Sequence, residues 1–144
     1  MKYMDFAVKE AKIANSSDEI PVGCVIVKDG KVIASAHNTC EEEKNSTCHA
    51  EINAINIACD FLREKYLDDC EMYVTLEPCA MCAGAIINSR IKRLYIGAME
   101  PKTGCCGSVT DLFNSELNKS TEVYIGINED ECKNLMKNFF RFKR

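Results

Sequence analysis

The chain has 144 residues, 47% of them hydrophobic and 28% charged, with a net charge of −4. That length fits one domain with its own core, and the composition excludes a disordered chain. No run approaches the roughly 18 uncharged apolar residues of a membrane span. Charge at Lys2, Asp5, Lys9 and Glu10 interrupts any signal-peptide core, so the expectation is a cytoplasmic protein with no membrane partner.

In chain order, residues 2–15 set Tyr3, Met4, Phe6, Ala7, Val8, Ala11 and Ala14 close to a 3.6 period. That spacing predicts a helix, ended by Asn15-Ser16-Ser17-Asp18. Residues 22–27 and 31–36 are β-rich runs around Lys28-Asp29-Gly30, and Asp-Gly between such runs signals a hairpin. Residues 38–47, with three successive glutamates, read as a loop. Residues 48–62 read as a helix capped by Thr47, with Ile52, Ile55 and Cys59 toward one face. Residues 71–76 form a strand, and Pro78 opens a helix that runs through Ile87. A strand at 91–96, a glycine-rich loop at 101–107, a short helix at 108–113, a strand at 122–127 and a helix at 129–142 complete the chain. A hairpin leading into strands that alternate with helices predicts a mixed five-stranded sheet covered on both faces. This is a three-layer α/β/α sandwich, and one domain spanning 1–144.

Charge is uneven along the chain. Residues 1–88 carry 8 basic and 15 acidic side chains, whereas residues 89–144 carry 10 basic and 7 acidic. Lys133, Lys137, Arg141, Lys143 and Arg144 crowd the end. The net charge argues against sequence-blind nucleic-acid binding and leaves room for a local basic patch. A solvated helix end, with cations favoured by the macrodipole, is the plain alternative.

The ten cysteines are mostly scattered among apolar residues, where a free thiol behaves as a small hydrophobe. Cys79 and Cys82 alone have metal-ligand or redox spacing. They fall in Pro78-Cys79-Ala80-Met81-Cys82, at a predicted helix start, as does His49-Ala50-Glu51. Amides at a helix N-terminus favour thiolate, the form that binds metal. One imidazole and two thiolates make a neutral Zn²⁺ site with an open fourth position, the catalytic pattern rather than the structural one. A thioredoxin-like redox pair predicts aromatic residues ahead of Cys79, but Thr75-Leu76-Glu77-Pro78 stands there. A zinc ribbon wants a second spaced pair, and Cys105-Cys106 is adjacent. Two residues apart on a regular helix diverge by about 200°, so His49 and Glu51 face one pocket only if His49 sits at the cap.

These residues resemble the zinc-dependent nucleoside and nucleobase deaminases, and within them the bacterial tRNA-specific adenosine deaminases. The similarity runs over almost the whole chain. It includes Ile20-Pro21-Val22-Gly23, Cys48-His49-Ala50-Glu51, Thr75 to Ile86, Ser89-Arg90-Ile91, Pro101-Lys102-Thr103-Gly104, Gly107-Ser108 and Phe139-Phe140-Arg141. The stretch from Ser89 to Ser108 and the terminal Phe-Phe-Arg favour the tRNA branch. The resemblance implies one Zn²⁺ per chain held by His49, Cys79 and Cys82, with Glu51 as the proton shuttle. It implies substrate contacts at Asn38, Ala50, Glu100, Lys102, Asn118, Phe140 and Arg141. It also implies a homodimer that converts adenosine to inosine at wobble position 34 of a tRNA anticodon stem-loop. Cys48 stands where relatives usually have alanine, Glu100 where they usually have aspartate, and Asn45 and Lys119 also depart from the pattern. The alternatives are a deaminase of free guanine or cytosine-type substrates, and a non-enzymatic zinc-stabilised interaction domain.

Overall fold

A computed structural model describes residues 2–142. The elements are α1 (Lys2–Ser16), β1 (Gly23–Lys28), β2 (Lys31–His37), α2 (Cys40–Glu43), α3 (Ala50–Leu62) and β3 (Cys70–Leu76). They continue with α4 (Ala80–Asn88), β4 (Arg93–Ala98), a 3₁₀ turn at Leu112–Asn114, β5 (Glu122–Ile125) and α5 (Glu129–Arg141). The strand order is β2-β1-β3-β4-β5. β1 runs antiparallel to β2 and β3, and β3, β4 and β5 are mutually parallel. This is the expected mixed five-stranded sheet of an α/β/α sandwich.

The β1–β2 turn is made by Asp29 and Gly30, both at positive φ (50° and 75°), the backbone that a tight two-residue hairpin requires. β1 is buried on both faces. Cys24 and Ile26 join Ala54, Ala58, Met72, Val74, Ile86 and Ile96 under α3 and α4. Val25 and Val27 join Met4, Ala7, Val8, Tyr73 and Cys132 under α1 and α5. Strand propensity and two-sided burial therefore agree, as a central strand demands. Gly23 admits α1 at close range, since a Cβ there would lie 1.9 Å from the Ala7 carbonyl oxygen. Among the described residues, no helix is long and apolar enough to cross a membrane.

Register gathers four segments at one end of the sheet. Gly23 pairs with His37, Cys24 with Val74, and Leu76 with Ala98. The start of β1 and the ends of β2, β3 and β4 therefore share an edge, outside the carboxyl ends of parallel strands, where α/β sheets bind ligands.

Several boundaries differ from the sequence reading, each through a longer-range contact. Residues 38–47 are not wholly loop, because the Glu19 carboxylate accepts from the N–H groups of Glu41 (3.0 Å) and Glu42 (2.8 Å) and holds α2 as a helical turn. Thr47 does not cap α3. Its N–H and hydroxyl both donate to Asn45 Oδ1, and His49 takes the cap position. Pro78 precedes α4 rather than opening it, with Cys79 at the cap. β4 starts at Arg93, because the Lys92 N–H turns to the Cys70 carbonyl (2.9 Å). The short helix expected at 108–113 shrinks to the 3₁₀ turn, begun by Asp111 accepting from the Phe113 N–H (3.0 Å). β5 stops at Ile125, ahead of Gly126 at φ 86°.

Candidate active site

His49 and Cys79 are the N-cap residues of α3 and α4. Both have extended backbone (φ −72°, ψ 156° and φ −76°, ψ 179°), and neither side chain caps its own helix. Their side chains are thus free to turn back toward each other across the sheet edge. Cap geometry removes the conflict between His49 and Glu51: His49 lies before the helical spiral begins, and Glu51 lies within its first turn. Both line one cavity of about 750 Å³.

His49 Nδ1 lies 3.6 Å from Cys79 Sγ and 3.5 Å from Cys82 Sγ. A tetrahedral zinc with bonds of about 2.0–2.1 Å to nitrogen and about 2.3 Å to sulfur holds those atoms about 3.6 Å apart. Both nitrogen-to-sulfur spacings therefore match a zinc ion. The three donors form a cluster whose ligand atoms all lie within 4.8 Å of one another. Cys82 is fully buried, while His49 and Cys79 are partly open to the cavity.

The two thiols act on each other in opposite directions. The Cys79 thiolate accepts from the Cys82 thiol and from His49, which pushes its pKa down to about 3. Cys82 is raised in turn by that hydrogen bond to Cys79 and by burial. The His49 imidazole is raised by its hydrogen bond to Cys79 against the pull of burial. Both sulfurs become thiolates only with a cation among them, the chemistry of a soft-metal donor set. Glu51 is buried at 4% exposure, and its desolvation pushes the carboxyl up to about 7, with its own backbone N–H opposing. A carboxyl titrating near neutrality is matched to moving protons in both directions.

Asn38, just past the end of β2, also lines the cavity and is 6% exposed. Its Oδ1 is buried without a hydrogen-bond partner among the described residues. A buried acceptor left open costs about 1–3 kcal/mol, so its place beside a cavity points to a ligand donor. Ala50, the first residue of α3, is fully buried against the same space. Glu100 stands on the wall, its Oε1 accepting from the Lys102 N–H (3.0 Å).

The remaining candidates divide. Phe140 lines this cavity and a neighbouring one of about 690 Å³, which Arg141 flanks with Lys133 and Lys137. Lys102 is exposed and outside the cavity lining, which Thr103 reaches instead. Asn118 is also outside it. Its Nδ2 donates to Phe113 O (2.8 Å) and Thr121 O (2.9 Å), bracing the loop before β5. Lys143 and Arg144 lie outside the described residues. Sequence reasoning passed over Glu19, Glu77, Thr103 and Met136 as cavity residues. Glu77 had one signal, its place directly before Pro78-Cys79, whereas nothing local marks Glu19.

Three comparisons bear on this geometry. A family profile described as MafB19-like deaminase matches residues 1–144. The tRNA-specific adenosine deaminase of Rickettsia typhi is 48% identical over 144 residues, covering 98% of this chain and 97% of that protein. A solved structure from work on A-to-I editing by tRNA:A34 deaminases at the wobble position of transfer RNA superposes with a TM-score of 0.90. It is 42% identical and covers 93% of this chain and 98% of its own. A guanine deaminase from Bacillus subtilis is 40% identical with a TM-score of 0.66, covering 68% of this chain and 63% of its own.

Proposed function

Because the chain belongs to the MafB19-like deaminase family, we propose that it hydrolyses adenosine 34 of a tRNA anticodon loop to inosine, as one domain binding one zinc. The observation that carries this reading is a zinc-shaped donor set, a buried acid near neutrality and an open amide acceptor around one cavity. His49, Cys79 and Cys82 hold the metal. When bound, zinc supplies a water acidified to titrate near neutral pH. Glu51 takes a proton from the attacking water and passes it to N1 of adenine as C6 is attacked. It then takes the second proton from the hydroxyl now on C6 and delivers it to the amine, so that the C6–N bond breaks, ammonia leaves and the C6 carbonyl of inosine forms. Asn38 Oδ1 accepts from the base, and the Ala50 N–H, with no partner in the first helical turn, donates to it. Glu100 meets the nucleotide at the wall.

The branch of the family is supported by the cavity's mouth and by likeness in sequence and structure together. The tRNA:A34 deaminase structure combines 42% identity with a TM-score of 0.90, the Bacillus subtilis guanine deaminase 40% with 0.66. Phe140 is half exposed at the rim and offers a stacking face, with Arg141, Lys133 and Lys137 placed for phosphates. An anticodon-loop base is already unpaired, so drawing it into the cavity costs less than opening a duplex. The reading includes a cytoplasmic homodimer, supported by exposed Ile57 and Phe61 one turn apart on α3 and Met81 on α4.

The test offers the zinc-loaded protein an anticodon stem-loop with adenosine at the wobble position, beside free adenosine, adenine, guanine, cytosine and cytidine. Inosine forms in the stem-loop alone. Turnover of guanine with an inert stem-loop overturns the substrate, and inertness toward all six overturns the enzyme.

A further inference from the structure

Glu77 closes β3 just before the metal segment and is a carboxylate only 3% exposed. Among the described residues, no lysine or arginine pairs with it. Its partners are one loop. Oε1 accepts from the N–H of Glu100 (2.8 Å) and from the Ser108 hydroxyl. Oε2 accepts from the N–H groups of Cys106 (2.9 Å) and Ser108 (3.0 Å). The backbone adds two stitches, from Glu77 N–H to Ala98 O (2.8 Å) and from Cys105 N–H to Pro78 O (2.9 Å). A Cβ on Gly104 would lie 2.2 Å from the Glu77 carboxylate, so the loop folds directly over the buried acid. Four donors on one anion form a charge-assisted knot, stronger than neutral bonds of equal number. The loop carries Glu100 and Thr103 into the cavity wall.

We propose that Glu77 is a positioning residue for substrate: its carboxylate holds residues 100–108 in the one arrangement in which Glu100 and Thr103 meet the bound nucleotide. The proposal rests on the function given above. A loop released from Glu77 samples several arrangements, and apparent affinity falls by the fraction that remains competent. Saturating substrate selects the competent arrangement again, so the loss falls on KM and largely spares kcat.

The decisive variant is Glu77→Gln, which keeps the volume and turns one acceptor into a donor facing N–H groups. In the zinc-loaded full chain, with the stem-loop as substrate, zinc content stays at one per chain and KM rises roughly tenfold, while kcat changes by less than about threefold. Amide exchange at Glu100, Cys106 and Ser108 speeds up. Glu77→Asp restores an anion and recovers part of KM. In a Glu100→Ala/Thr103→Ala background, Glu77→Gln adds less than about twofold, because the contacts it positions are already gone. A wild-type KM overturns the proposal, as does zinc falling in step with kcat, or effects that multiply. If Glu77→Gln fails to fold, Ser108→Ala removes one donor from an exposed residue. An unchanged KM there is equally fatal. A wild type inert toward the stem-loop overturns the substrate instead. The exchange rates then decide whether Glu77 holds the loop, and unchanged rates sink it.

Discussion

The metal corner and the α5 rim are two walls of one cavity, lined by His49, Cys79 and Phe140, and are built in different ways. At the corner, two helix N-termini aim His49, Cys79 and Cys82 at one point, with nitrogen-to-sulfur distances of 3.5–3.6 Å. At the rim, Phe140 and Arg141 stand exposed on the last turn of α5, beside Lys133 and Lys137. The corner is fixed by backbone caps and burial, so each group there is needed whole. The rim acts by adding contacts, so each group there contributes a graded share.

The sharpest way to break that contrast is at the ligands. Cys79→Ser or Cys82→Ser removes one of three donors, and both zinc and deamination are expected to be lost. Elemental analysis checks this, and full zinc in either variant would remove that cysteine from the ligand set. The next effect belongs to Glu51→Gln, which keeps the cavity's shape and the zinc but cannot carry a proton. Its kcat falls by about 10²–10⁴, and near-normal turnover would place the shuttle elsewhere.

Asn38→Ala tests the boundary between the two walls. Its Oδ1 has no partner to lose in the free protein, so thermal stability holds at the wild-type level or rises slightly. Stem-loop KM rises about tenfold, the share of one hydrogen bond to a neutral group. A lowered melting temperature with normal KM would make Asn38 structural.

The corner was legible in the sequence because its logic is local. Cys79 and Cys82 are three residues apart and His49 is two from Glu51, and a helix start turns that spacing into geometry. The α/β/α layering was legible for a like reason, through the Asp29-Gly30 turn and the alternation that follows. What pins the cavity walls was not. Glu19 reaches 22 and 23 residues ahead to Glu41 and Glu42, and Glu77 reaches 29 and 31 ahead to Cys106 and Ser108. A carboxylate that serves backbone N–H groups leaves no pattern at its partners' end, because any residue can supply the N–H. That is why α2 read as loop, and why Thr47 looked like a cap until Asn45 claimed its donors.

The smallest effects lie at the rim, where two neighbouring side chains separate by salt. Phe140 is a stacking face, and stacking a base on an aromatic ring is worth about 1–3 kcal/mol with little ionic-strength dependence. Phe140→Ala therefore weakens stem-loop binding by a similar factor at every salt concentration. Arg141 is an exposed cation, and neutralising one phosphate releases condensed counterions. Arg141→Ala therefore flattens the plot of log affinity against log salt by about 0.7, the single-strand increment per contact. At high salt its affinity converges on wild type, whereas that of Phe140→Ala does not. Zinc content and saturated kcat stay unchanged in both, because neither residue reaches the metal corner. Parallel salt plots for Arg141→Ala and wild type would show that Arg141 meets no phosphate and that the end of α5 is simply a solvated helix terminus.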